Sequence, residues 1–413
     1  PISTVAIATE YGKSTASFFG CTHSLIKQPS LAMNSGHSLI FFTNTLDSYI
    51  NGVMKYKGNP EYKHDSESCT GVLITNLGTP DAPTAASVRQ YLAEFLSDPR
   101  VIEVPKLLWW FVLHCIILRT RPKRSAEAYK KVWSKDGSPL LDTSIKQADA
   151  IRTEIEKRFS GNVKVELAMR YGNPSIESGL EKLRSANANR VLIFPLYPQY
   201  SAATTASTFD AAADVLKTWR WIPELRMINH YHDNSDYITA LANSINNYWQ
   251  THTKPEKLLF SFHGLPQDYF LAGDPYHCEC HKTARLVAEK LELKEDEWQL
   301  TFQSRFGPRK WLEPYTDITL KKLAHQGTKH VQIVCPGFSA DCLETLEEID
   351  MQNRAFFTEA GGETFSYIPA LNDDDEHIQA LSSIIMTHCQ GWDKNQDDLN
   401  KRKERAMQLG AKP

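Results

Sequence analysis

The 413-residue sequence has no excess of charge of either sign: 46 lysines and arginines face 49 aspartates and glutamates, a formal net charge of −3. A chain so balanced is not built to coat nucleic acid, and no nucleic-acid partner is expected. It is poor in cysteine, with eight scattered along its length. Such spacing gives no disulfide framework and points to a reducing, cytoplasmic setting. No apolar run approaches the roughly 18–20 residues that span a bilayer. The nearest, Leu107 to Leu118 (LLWWFVLHCIIL), is short and is interrupted by His114. No glycine-rich phosphate fingerprint, GxGxxG or GxxxxGK[ST], follows a predicted strand, so a nucleotide-binding reading loses its main support.

Charge is also missing locally. Residues 1–53 hold only Glu10, Lys13, Lys27 and Asp47 as charged side chains, with no arginine, against fourteen serines and threonines. No basic segment precedes a continuous apolar core there, as a secretory signal requires. A disordered or non-native leader is expected over 1–53, with the folded protein starting near Met54.

Beyond Gly71, short apolar, β-branched runs alternate with longer segments of helical length. The runs are Gly71–Leu77, Val163–Met169, Arg190–Leu196, Leu225–Asn229, Lys257–Phe262, Gln299–Gln303, His330–Cys335 and Thr364–Ile368. Apolar on both faces, they fit buried parallel strands joined by crossover helices such as Thr143–Phe159 and Thr283–Leu291. Eight strands falling as four and four predict an α/β protein of two lobes: 54–230, then 231–390, then a charged tail over 391–413. Ligands in open parallel sheets bind beyond the carboxyl ends of the strands.

Those ends carry Asn76–Pro80, Arg170–Pro174, Pro195–Ser201, His263–Pro266, Gln303–Gly307 and Cys335–Glu344. His263 closes a strand, where a histidine serves either structure or chemistry. Glu344 falls in the predicted first turn of a helix, where an Asp341-x-x-Glu344 capping box would explain it. Glu348 follows at i+4, and two like charges so placed repel by about a few tenths of a kcal/mol. Such a row of carboxylates instead suits a divalent cation or a proton relay, and histidine with carboxylate suits Fe(II) or Zn(II).

The segments LITNLGTPDAPT, FLSDPRVIEVP, MRYGNP, FPLYPQYSAATTAS, FSFHGLP, GDPY, FQSRFGPRKWLEPYTD and CPGFSADCLETLEEID, in this order, resemble the ferrochelatase family, and its bacterial members in particular. The resemblance implies a class II chelatase-like fold of two Rossmann-like lobes, each with a four-stranded parallel sheet flanked by helices. It implies insertion of Fe(II) into protoporphyrin IX, which is distorted in the interlobe cleft. By the same resemblance His263 is the proton acceptor or iron ligand, Glu344 its acidic partner, and Glu348 a proton or metal relay. Arg170, Tyr171, Trp311 and Phe338 take substrate-lining positions. Leu107–Leu118 falls where the family has its pocket lip, with possible peripheral membrane contact, and Arg119, Arg121, Lys123 and Arg124 follow it.

This sequence departs from some relatives at two points. Cys342 stands where many eukaryotic members have a second histidine, and Ala202 where animal members place a cluster-ligating cysteine. No prosthetic group and no [2Fe–2S] cluster is therefore expected, iron being a substrate. His277-Cys278-Glu279-Cys280-His281 has ligand-type residues, but with C-x-C rather than C-x-x-C spacing. Two other functions stay open at this point, a sirohydrochlorin-type chelatase and a non-catalytic haem- or metal-binding protein.

Overall fold

A computed structural model describes residues 56–59, 62–307, 309–392 and 398–411. The leader expected over 1–53 lies outside the described residues.

The first lobe begins with β1 (Cys69–Thr79), then α1 (Ala85–Ser97), α2 (Lys106–Val112), the π-helical turn π1 (Leu113–Ile117), α3 (Leu118–Val132) and α4 (Pro139–Arg158). It continues through β2 (Val163–Gly172), α5 (Ile176–Ser185), β3 (Ala188–Pro195), π2 (Ala202–Ala206), α6 (Ser207–Leu216) and β4 (Glu224–Met227). After α7 (Ser235–Thr251), the second lobe runs β5 (Lys257–His263), α8 (Gln267–Leu271), α9 (Tyr276–Lys290), β6 (Trp298–Gln303), α10 (Thr316–His325) and β7 (His330–Val334). It ends with a longer π-helix, π3 (Glu344–Asn353), then α11 (Arg354–Glu359), β8 (Thr364–Ile368), α12 (Asp375–His388) and α13 (Leu399–Gln408).

Both sheets are four-stranded and parallel, ordered β2-β1-β3-β4 and β6-β5-β7-β8. The order is the same in each lobe, so each has its topological switch point in the same place: between β1 and β3, and between β5 and β7. All eight predicted runs are strands. The centres of β1, β2, β3, β5, β6 and β7 are buried on both faces, while β4 is partly exposed; Val72, Leu73 and Ile74 of β1 have no exposed surface. Burial of each such side chain contributes about 1.5–3 kcal/mol. Local chemistry starts the helices: Thr84, Ser175, Asn234 and Asp374 accept backbone N–H groups at the N-termini of α1, α5, α7 and α12, and Pro139 opens α4.

One buried apolar core runs through both lobes, joining Val72, Leu192 and Phe194 to Phe260, Phe302 and Leu381. α12, near the end of the chain, packs on α4 and α7. At and just past its C-terminus, Arg226 donates to the carbonyls of His388 and Gln390, and Arg190 to that of Trp392. In the charged tail, α13 buries no residue and is held by Lys403–Asp65 at 2.6 Å and by Arg402 on His64 O.

Candidate active site

β5 carries its apolar run to Phe262 and delivers His263 to the sheet edge in register with Gln303 of β6. His263 Nδ1 lies 2.7 Å from Gly264 O. A carbonyl only accepts, so in the neutral ring Nδ1 holds the proton and Nε2 keeps the lone pair. The next residue has to be small. A Cβ on Gly264 would stand 2.6 Å from Gln303 O and 3.2 Å from the Trp311 ring. Trp311 closes this side: it is buried, and its Nε1 donates to Phe306 O at 2.8 Å.

Gln303 ties the strand end to the helix opposite, accepting from Ser261 Oγ and donating from Nε2 to Glu344 O at 3.2 Å. Ser304 then turns with φ +66°, in the left-handed region. That turn aims both its N–H (2.8 Å) and its hydroxyl (2.5 Å) at the Glu348 carboxylate. π3 presents Glu344, Glu347 and Glu348, and π geometry of this kind is frequent at functional sites. Leu343 precedes it without a side-chain cap, so the Asp341-x-x-Glu344 capping box does not form. Asp341 instead accepts from Thr345, Tyr367 and Asn372, anchoring the loop that leads into π3.

The three glutamates differ. Glu347 pairs with Lys131 of α3 at 2.8 Å, an ion pair between the lobes. Burial pushes the Glu348 carboxyl above its usual range and the Glu344 charge adds to this, while Ser304 and the His263 charge pull the other way. Glu344 lies beside the buried Cys342 thiol, and its charge reaches Tyr91, Tyr129 and Arg121 of the first lobe. His263, Trp311, Glu344 and Glu348 thus surround one edge of the second lobe. Phe338 is half-buried on the loop between β7 and π3, against Leu140, Ala340 and Cys342.

Arg170 and Tyr171 belong to a different cluster, in the first lobe. Arg170 donates to Asp98 Oδ2 (2.5 Å) and to Ser207 O and Oγ (2.9 and 2.6 Å), with its guanidinium over the Tyr171 ring. Tyr171 has no exposed surface, and its hydroxyl reaches Asp98 at 2.8 Å. Gly78, at φ +106°, lets β1 pass this cluster, since a Cβ there would sit 1.8 Å from Tyr171 O. Asp98, Ser207, Gln303 and Ser304 were not singled out from sequence. The last two carried a signal, their place at a strand end.

The Leu107–Leu118 segment comprises α2, π1 and the first residue of α3. Leu113 and Leu118 are buried, but Leu107 (75%), Trp110 (51%), Phe111 (53%) and Ile116 (57%) are exposed, forming an apolar lip. Pro122 inside α3 cannot donate to Leu118 O, and Arg89 Nε fills that place at 2.9 Å. Arg121 lies over the exposed Phe306 ring at 5.4 Å, so the lip helix meets the rim of the second lobe.

A family model described as Ferrochelatase matches residues 69–389. A ferrochelatase of Thioalkalivibrio sulfidiphilus is 52% identical over 368 residues, covering 87% of this chain and all of that protein. One of Hydrogenovibrio crunogenus is 56% identical over 361 residues, covering 86% of this chain and 96% of that protein. The chain belongs to the ferrochelatase family.

Among solved structures, SirB from Bacillus subtilis with Fe3+ aligns at 11% identity and a TM-score of 0.48, covering 78% of this chain and 96% of that one. In this ferrochelatase-family chain Cys342 is buried, and Ala202 opens π2. The His277–His281 segment is the start of α9. It turns Cys278 to solvent and Cys280 to the core, and sets the rings of His277 and His281 4.4 Å apart, tilted by 45°.

Proposed function

We propose that the chain inserts ferrous iron into protoporphyrin IX to give protohaem, releasing two protons in the last step of haem synthesis. The observation that carries this reading is an imidazole with a fixed lone pair set beside a π-helix holding Glu344 and Glu348. A porphyrin carries two inner N–H protons that must leave before iron occupies the four nitrogens. His263 Nε2 accepts a pyrrole proton. Glu348, raised by burial, holds a proton more readily than a solvated glutamate and relays it. Glu344 guides the incoming Fe(II), a borderline cation suited to imidazole and carboxylate. Trp311, Phe306 and the lip supply apolar walls against which a bent macrocycle is held.

The lip also supports peripheral contact with a bilayer, its exposed apolar residues being followed by the exposed cations Arg119, Lys123 and Arg124. Among the described residues no helix is long and apolar enough to cross a membrane. Replacing Leu107 and Phe111 with aspartate is expected to abolish co-flotation with anionic vesicles. The reaction as proposed uses no prosthetic group and no [2Fe–2S] cluster, with Ala202 at the position of the animal cluster ligand supporting that choice.

Anaerobic mixing with protoporphyrin and Fe(II) tests the proposal, read as loss of porphyrin fluorescence. Enzyme-dependent loss is expected. Turnover of sirohydrochlorin alone would identify a different chelatase, and binding of porphyrin without turnover would identify a carrier.

A further inference from the structure

Away from His263, one group of histidine and carboxylate side chains converges among the described residues: His230, His232 and Glu279, whose ligand atoms lie within 4.8 Å of one another. The chain places them by simple periodicity. Beyond β4 the connection to α7 is not helical, and Tyr231 turns inward against Phe194 and Tyr237. The flanking residues, His230 and His232, face the other way. Glu279 comes from the first turn of α9 and is buried. Its Oε1 lies 2.7 Å from His230 Nδ1, and its Oε2 lies 3.3 Å from His232 Nδ1.

The surroundings fix these groups. Tyr200 N–H donates to Glu279 Oε2 at 2.7 Å, and Thr283 Oγ1 donates to His232 O at 2.8 Å. Asp233 faces His232 Nε2 at 3.9 Å and is itself paired with Lys282. His232 is 6% exposed, yet its Nδ1 has no hydrogen-bond partner. An imidazole nitrogen shut off from water and turned toward a carboxylate without bonding it needs an explanation. Ligand atoms held by one zinc-like ion at 2.0–2.2 Å stand about 3.3 Å apart, which matches the His232–Glu279 separation, whereas the 2.7 Å His230–Glu279 contact is a hydrogen bond that must open for both to ligate.

We propose that His230, His232 and Glu279 form a second metal site, for a borderline divalent ion of the Zn(II), Co(II) or Fe(II) type, that staples the interlobe connection to α9. The ligand set is two imidazoles and one carboxylate, with further positions left to water on the exposed His230 side. Asp233 and the Tyr200 N–H act behind the ligands, orienting the His232 ring and the carboxylate. Glu279 is the one residue of the His277–His281 segment that takes part. The site stands apart from the chelation reading, and either can fail without the other.

The test is an anaerobic Co(II) titration of the full-length His263→Ala/Glu344→Gln protein, followed by visible absorption and calorimetry. One Co(II) per chain is expected, with the visible bands of an imidazole-ligated ion. Tm should rise by roughly 5 °C at a hundredfold excess over Kd. Adding His230→Ala, a replacement at a half-exposed position, should weaken uptake at least about tenfold and remove the bands. Glu279→Gln should do the same. Should the double variant not fold, the unaltered protein is compared with His230→Ala, which should bind one Co(II) fewer. Absence of stoichiometric Co(II), or uptake unmoved by His230→Ala, would leave the trio a histidine–carboxylate contact and overturn the proposal.

Discussion

Two carboxylates, one in each lobe, end on opposite sides of their ordinary range: Asp98 is buried and Glu348 is partly buried. Asp98 accepts from Ser207 Oγ (2.6 Å), Arg100 N–H (2.7 Å), Tyr171 hydroxyl (2.8 Å) and Arg170. Burial pushes its carboxyl up, but these donors and the Arg170 charge outweigh burial and leave it below the usual range. Among the described residues Glu348 has donors from Ser304 alone, with a second carboxylate nearby, and it ends above its usual range. Four donors, one of them the paired Arg170 cation, hold Asp98 as an anion, whereas Glu348, with fewer donors and a neighbouring carboxylate, ends above its range. On the proposed reading, the first-lobe cluster serves the structure and protons move at the second-lobe edge.

The sharpest way to break this contrast is to remove the group each edge depends on. His263→Ala should lower iron insertion by about a thousandfold or more, the range of a lost general base, with Tm nearly unchanged. Turnover within tenfold of the parent would remove His263 from the chemistry. Asp98→Ala should do the reverse. It leaves Arg170, largely buried, without its counter-ion, and should cost about 4 kcal/mol in urea unfolding. The surviving folded protein should keep its turnover within about threefold. Equal damage to both properties would mean that the Asp98 cluster also touches substrate.

A third group sharpens the contrast. His377 of α12 has no exposed surface, donates from Nδ1 to Asn372 O at 2.8 Å, and leaves Nε2 without a partner. Burial pulls its pKa from 6.5 down to about 4, against the Asn372 hydrogen bond and the Asp374 charge. Between those values the unfolded chain binds more protons than the folded one, so stability falls as pH drops from 6.5 toward 4. The loss is on the order of 3 kcal/mol. His377→Asn keeps a donor for the carbonyl and should flatten the profile in denaturant titrations at pH 7 and 4.5. An unchanged slope would assign the acid sensitivity elsewhere.

How much of this was legible follows from what each feature depends on. The eight strands were readable because parallel strands buried on both faces must be continuous apolar runs. His263 and Glu344 were readable because they stand in long motifs at strand ends. The Asp98 cluster was not, since its partners Arg170 and Ser207 lie 72 and 109 residues away in sequence. Nor was the positive φ of Ser304, which no residue-type preference signals. The capping box expected at Asp341 failed for a similar reason: Tyr367 and Asn372, brought in by later segments, compete for that carboxylate and win.

Glu348 offers the smallest effect and the cleanest separation of the two roles. Its folded value is raised, so its contribution to stability is present below about pH 4.5, the ordinary value, and is lost as pH rises through the raised one. At neutral pH the ionised form is held against burial and against Glu344. Glutamine keeps the shape, accepts the Ser304 N–H through its carbonyl, donates to the Ser304 hydroxyl, and has no charge to desolvate. Glu348→Gln should therefore raise Tm at pH 7.5 by about 1–2 °C, with the gain shrinking toward pH 4. Because an amide cannot relay a proton, iron insertion should fall about tenfold. A variant that is more stable and slower is what a carboxylate kept for proton traffic requires. A fall in Tm at pH 7.5 would place Glu348 with Asp98 among the structural anions.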